Sequence, residues 1–223
     1  MRSLIVAMLL AASATACVRE PEGPPEPPLL PGGYRLRLDG DRVDPGQFVI
    51  EETPDGIRVT TGPGGTAWRP QDTVAVGDFR AEAVFTLMGA PVAYREGYGV
   101  FVGGRNLGGP SPRYLSLMVR ATGEYMVRRR VGQATETIVD WLPHTSVLPV
   151  AADGDTPMNV LAIEAVGGEV RFLVNGAVVF VMPAAETEPW GVAGLRVSHR
   201  LDLVLRRWSV GPPPKDAPTT SAP

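Results

Sequence analysis

Apolar and polar residues alternate along most of the chain, as in YRLRL from Tyr34, IRVTT from Ile57, FRAEAVFTLM from Phe79, RYLSLMVR from Arg113 and VRFLVN from Val170. Successive side chains of a strand point to opposite faces, so this pattern predicts half-buried β-strands. The same reading extends to QFVIEE, GYGVFVGG, EYMVRRRV, TETIVDW, MNVLAIEAV, AVVFVM, GVAGLRVS and LDLVLRRWSV. Between these segments lie turn residues: Thr53-Pro54-Asp55-Gly56, Gly62-Pro63-Gly64-Gly65 and Asp153-Gly154-Asp155. No window reads as an amphipathic helix. Short strands separated by turn chemistry imply an all-β fold, an antiparallel sandwich or barrel.

Two stretches predict pairing in detail. In VRFLVNGAVVFV, Asn175-Gly176 suits a two-residue type I′ turn, whose central positions both need positive φ. That loop sets Val174 opposite Ala177, Phe172 opposite Val179 and Val170 opposite Val181, an apolar face; Asn175 is thereby a turn former rather than a ligand contact. In the middle of the chain, a three-residue loop at Ala121-Thr122-Gly123 sets Val119 against Tyr125 and Leu117 against Val127. A second at Gly132-Gln133-Ala134 sets Val139 against Val127, Trp141 against Tyr125 and Glu136 against Arg130. This meander has an apolar side (Leu117, Val119, Tyr125, Val127, Val139, Trp141) and a polar side (Tyr114, Ser116, Arg128, Arg130, Glu136, Asp140). Arg129 is the exception and is expected near the edge.

Composition narrows the possible roles. The 223 residues carry a formal net charge of −3, which offers no basic field for nucleic acid. One cysteine and two histidines exclude a disulfide framework and a Cys/His zinc cluster. The cysteine ends MRSLIVAMLLAASATAC, where Arg2, an apolar run and small residues follow the layout of a secretory signal. Ala14-Thr15-Ala16-Cys17 resembles the bacterial lipobox, although Leu is favoured where Ala14 stands. The resemblance implies a signal peptide over 1–16, lipidation of Cys17 and membrane anchoring in the cell envelope. Val18, rather than Asp, follows the cysteine, which implies the outer membrane if the host is Gram-negative. Residues 17–33, rich in proline, read as a tether, and 211–223 as a disordered tail. The folded domain is expected over 34–210.

The order of the motifs resembles the bacterial laminin-G-like members of the concanavalin A-like lectin/glucanase superfamily, including family 16 glycosidase-like and keto-disaccharide hydrolase-like domains. The carriers are Asp55-Gly56 before an alternating strand, Asp78-Phe79 opening FRAEAVFTL, GYGVFVGG, RYLSLMVRATGEYMVRRR, Trp141, VRFLVNGAVV, GVAGLRV and the closing RRWSV. The resemblance covers roughly 48–210 and implies a jelly-roll sandwich of two curved antiparallel sheets. It also implies that a concave sheet face often receives carbohydrate, although many members bind protein or have no known ligand.

The polar side of the meander is the candidate surface, because Tyr114 can cover a sugar's C–H face while Ser116, Arg128, Arg130, Glu136 and Asp140 meet its hydroxyls. A solvated sheet face with weak cross-strand ion pairs is the competing reading. No paired-carboxylate motif of a retaining glycosidase occurs, and Glu186 and Glu188 sit between prolines as loop residues. No cofactor is expected. Asp39, Asp41 and Asp44, or Asp153 and Asp155, could offer oxygens to calcium, but turn formation accounts for them better. Trp68, Trp190 and Trp208 read as packing residues, and His144 has no nucleophile beside it. The leading expectation is a lipid-anchored envelope module that binds a glycan or another envelope component without chemistry. Its alternatives are a sugar hydrolase or lyase using Glu136 and Asp140 as isolated carboxylates, and a structural protein-interaction lipoprotein.

Overall fold

The computed structural model describes residue 27 and residues 29–40, 43–152 and 156–214. The expectations at Cys17, Asp41, Asp153 and Asp155, for the signal peptide, and for most of the tether and tail, lie outside the described residues.

Among the described residues the strands run β1 (Leu29–Leu30), β2 (Tyr34–Leu38), β3 (Phe48–Thr53), β4 (Gly56–Thr61), β5 (Gly65–Val74), β6 (Phe79–Leu87), β7 (Gly97–Arg105) and β8 (Arg113–Arg120). They continue with β9 (Glu124–Val131), β10 (Ala134–Pro143), β11 (Met158–Val166), β12 (Glu169–Val174), β13 (Ala177–Pro183), β14 (Gly191–Val197) and β15 (Asp202–Gly211). One turn of helix, α1 (Ala184–Thr187), follows β13. All ladders are antiparallel and form two sheets, one ordered β1-β2-β5-β14-β7-β8-β9-β10 and the other β13-β12-β11-β6-β15-β4-β3. The protein is an all-β jelly-roll sandwich.

The inward positions of both sheets fill one core. Phe85 of β6 meets Tyr98 of β7 edge-on at 5.4 Å, so this aromatic pair joins the two sheets. Phe172, Leu117, Leu161 and Ile163 are fully buried beside them, and each contributes about 1.5–3 kcal/mol by leaving water. The Tyr34 hydroxyl is buried in this core without a hydrogen-bond partner, whereas the Asn159 amide is fully paired. Asn159, 1% exposed, donates from Nδ2 to the Tyr98 hydroxyl at 3.2 Å and to the Leu148 carbonyl at 3.1 Å. Its Oδ1 accepts from the Leu148 N–H at 2.9 Å and from Asn175 Nδ2 at 2.9 Å. Burial pushes the Tyr98 hydroxyl up to about 12.

Asn175 and Gly176 adopt φ of 50° and 84°, as the turn requires. Asn175 is also a clamp, with Nδ2 donating to the Ser146 carbonyl at 2.7 Å and Oδ1 accepting from the Val160 N–H at 2.7 Å. Val174 faces Ala177 as expected, but a register shift after Phe172 places Phe172 opposite Phe180 and Val170 opposite Met182. The expected partners Val179 and Val181 are therefore displaced by one residue, because β13 is an edge strand that takes up a bulge with no second neighbour to oppose it. β5 was not legible as a strand, since Pro70 interrupts it. Its ladder to β14 shifts register between Trp68 and Thr73, and Pro70 falls within that irregularity.

Candidate functional site

Strand alternation fixes what the eight-stranded sheet shows to the outside. Leu115, Leu117 and Val119 of β8 and Tyr125 and Val127 of β9 belong to the core, so Tyr114, Ser116, Met118, Met126, Arg128 and Arg130 occupy the opposite face. On the central strands the same face carries Gly97, Gly99 and Gly194. These glycines reflect close backbone approach: a Cβ at Gly194 would lie 2.5 Å from the Ala67 carbonyl, and one at Gly99 would overlap the Leu117 carbonyl. The room left by the missing Cβ atoms is taken by neighbouring side chains, Phe101 over Gly194 and Trp141 with Met118 over Gly97.

A cleft of about 230 Å³ opens here, lined by Tyr114, Ser116, Met118, Arg128, Arg130, Thr135, Trp141 and Arg196, with Arg95 and Glu96 at its side. A neighbouring hollow of about 290 Å³ is lined by Arg37, Asp39, Thr66 and Gln133 and shares Tyr114, Arg130 and Arg196 with the cleft. The two are thus continuous along the face.

The β8–β9 register is the expected one, with Tyr114 opposite Arg130 and Ser116 opposite Arg128. Tyr114 packs against Phe101 at 5.1 Å between ring centroids. Ser116, 2% exposed, donates to the Arg128 carbonyl at 3.3 Å. Arg130 donates to the Gly132 carbonyl at 2.6 Å, Thr135 Oγ1 at 3.2 Å and Gln133 Oε1 at 3.3 Å. The Arg128 side chain has no hydrogen-bond or ion-pair partner among the described residues, and its Nε is buried.

The β9–β10 register differs from expectation. Val131 pairs with Ala134, so the loop is the two residues Gly132-Gln133 rather than three. Glu136 consequently stands opposite Arg129, not Arg130, and its carboxylate lies 3.4 Å from the Arg129 guanidinium, outside the cleft lining. Two register shifts follow, between Thr137 and Val139 and between Val139 and Leu142. Val139 still meets Val127, but Leu142, not Trp141, faces Tyr125. Asp140 falls in the second irregularity, where its carboxylate accepts from the Trp141 N–H at 2.8 Å and does not line the cleft. The alternative that put Glu136 and Asp140 to work on a sugar thereby loses its geometry in the cleft.

Trp141, expected on the core side, lines the cleft instead. The Arg120 guanidinium sits 4.4 Å from its ring centroid, and Glu124 grips Arg120 through two bonds of 2.6 Å. The bonds from Arg120 hold the Glu124 carboxyl below the usual glutamate range. Gly97 makes room for the indole, since a Cβ there would come within 2.5 Å of its far edge. Arg196 was also missed, although GVAGLRVS was read as a strand and its alternation with Leu195 could have placed it outward.

The remaining candidates serve the fold. Trp68 joins Phe101 and Leu107 in a small buried cluster, Trp190 donates to the Gly77 carbonyl at 2.9 Å and Trp208 to Asp72 at 2.8 Å. Asp39 pairs with Arg196 at 2.5 Å, and Asp44 accepts from the Gly46 N–H at 2.9 Å. Glu186 lies in α1, Glu188 follows it and pairs with Arg105 at 2.7 Å, and His144 accepts from the Ser146 N–H at 3.1 Å.

No family model matches the chain, and no curated protein matches it in sequence. Among solved structures it is similar to the carbohydrate-binding module CBM66 from Bacillus subtilis, with a TM-score of 0.53 and 10% identity over 80% of this chain and 95% of that one. A Bacillus subtilis protein of unknown function with a galectin-like fold gives 0.55 and 16%, over 80% and 88%. The potassium-bound carbohydrate recognition domain of Emp46p gives 0.54 and 10%, over 80% and 88%. The shared fold is the jelly-roll sandwich of two antiparallel sheets. That likeness is one of backbone, and the cleft's chemistry comes from this chain's own residues.

Proposed function

We propose that this protein is a glycan-binding module of the cell envelope, built on a laminin-G-like variant of the lectin-type fold, that engages its ligand in the Trp141 cleft without chemistry. The observation that carries this reading is the juxtaposition, in one cleft, of the Trp141 indole with Ser116, Thr135, Tyr114 and guanidinium groups. An aromatic ring suits the apolar C–H face of a sugar, and the surrounding donors suit its hydroxyls. Trp141→Ala is expected to weaken binding of the glycan identified on an array about tenfold or more, corresponding to about 1.4 kcal/mol. Titration calorimetry measures this, with the melting curve as a control for folding. Unchanged affinity in a folded variant would refute the reading.

Lipidation of Cys17 would hold the module at the membrane, in the outer membrane if the host is Gram-negative. The support is the lipobox-like ATAC followed by a proline-rich segment. Cys17→Ser should abolish incorporation of a labelled fatty acid; a wild type that takes up no label would refute the anchor.

A further inference from the structure

Resting on the glycan reading above, we infer that the cleft selects a sugar bearing an oxyanion (a carboxylate, sulfate or phosphate ester) and that Arg128 is the group that pairs with it. The cleft lining holds four arginines, Arg95, Arg128, Arg130 and Arg196, against the one glutamate Glu96. Two of the four, Arg130 and Arg196, are already engaged by the fold, and Arg95 makes no hydrogen bond or ion pair among the described residues but, unlike Arg128, has no buried unpartnered nitrogen. Arg130 has three acceptors, and Arg196 pairs with Asp39 and donates to the Val197 carbonyl at 3.4 Å. In the adjoining hollow Arg37 donates to the Leu107 and Gly109 carbonyls at 3.2 and 2.5 Å.

Arg128 differs from all of these. Its buried Nε has no acceptor. The nearby carboxylates are committed elsewhere: Asp39 to Arg196, Glu136 to Arg129, and Glu96 lies 3.7 Å from His199. A buried guanidinium N–H without a partner is costly, and its planar fork matches a two-oxygen anion. A second unfulfilled group lies on the same face. Thr66 Oγ1 is buried without a partner and lines the hollow beside Arg37 and Arg196. Because cleft and hollow share Tyr114, Arg130 and Arg196, the ligand is an acidic chain of at least two sugar units, with its anion at Arg128 and a hydroxyl toward Thr66.

The test titrates the full chain with matched polymers: polygalacturonate and its methyl ester, a sulfated galactan and its desulfated form, and a phosphorylated mannan and its dephosphorylated form. The wild type is expected to bind the acidic member of one pair about tenfold or more tighter than its neutral counterpart, and the pair identifies the oxyanion. Added NaCl should erode that preference. Arg128→Gln should abolish it and leave weak neutral binding, Arg128→Lys should retain part of it, and neither should lower the melting temperature, since the native Nε makes no bond. Equal binding of acidic and neutral members, still sensitive to Trp141→Ala, would overturn this inference and leave the glycan reading standing. An acid preference that survives in Arg128→Gln would overturn the role of Arg128. Binding of none of the polymers, with no hit on a glycan array, would overturn the glycan reading and this inference together.

Discussion

Replacing Arg80 with methionine is expected to cost the fold about 3–5 kcal/mol at neutral pH, the range for breaking a buried ion pair from one side. Arg80 lies on β6, near the middle of the seven-stranded sheet. It holds Glu164 at 2.7 Å and Glu82 at 2.6 Å, and Arg207 grips the other Glu82 oxygen at 2.6 Å. The Glu164 side chain is only 2% exposed, so methionine would strand a carboxylate away from water. Burial alone would push the Glu82 carboxyl up, but the bonds from Arg80 and Arg207 outweigh it and hold it below the usual glutamate range. A depressed carboxyl stabilises the native state above its unfolded pKa, and the contribution disappears as pH falls through the folded value. The gap between wild type and Arg80→Met in urea unfolding should therefore be widest near neutrality and shrink below about pH 4. A loss under about 1 kcal/mol at pH 7 would mean that the network behaves as a solvated surface cluster.

Asn159→Ala should cost about 3 kcal/mol, because the Leu148 N–H and carbonyl and the Tyr98 hydroxyl lose their partner together, at about 1–3 kcal/mol for a buried group left unmade. Asn175→Gly makes the informative comparison. It preserves positive φ at the corner while deleting the bonds to Ser146, Val160 and Asn159, so a smaller loss of about 1–2 kcal/mol is expected. Chemical denaturation of both variants checks this. If Asn175→Gly is neutral, the residue is a turn former and nothing more; if Asn159→Ala is neutral, water replaces the amide.

The β8–β9 pairing was legible because a glycine-containing loop and strict alternation on both sides leave one register that keeps Leu117, Val119, Tyr125 and Val127 together. That alone placed Tyr114, Ser116, Arg128 and Arg130 on one face. Glu136, Asp140 and Trp141 were misplaced because β10 departs from the ladder in ways its composition does not mark: a loop one residue shorter, then two bulges. The same blind spot moved Val179 and Val181 in β13, also an edge strand. The isolation of Arg128 could not be read either, since it depends on where Glu136 goes, and a single residue of loop length sends that carboxylate to Arg129.

The bulges of β10 also bear on how such a site can evolve. As the last strand of its sheet, β10 is paired on one side only, so a codon gained or lost between Thr137 and Trp141 would leave every other ladder intact. Because strand side chains alternate with every residue, a single deletion there would rotate the indole from the cleft toward the core and offer its neighbour in exchange. Small insertions and deletions in this one strand would redraw the recognition surface on an unchanged scaffold, making strand length, and not only residue identity, a heritable determinant of specificity.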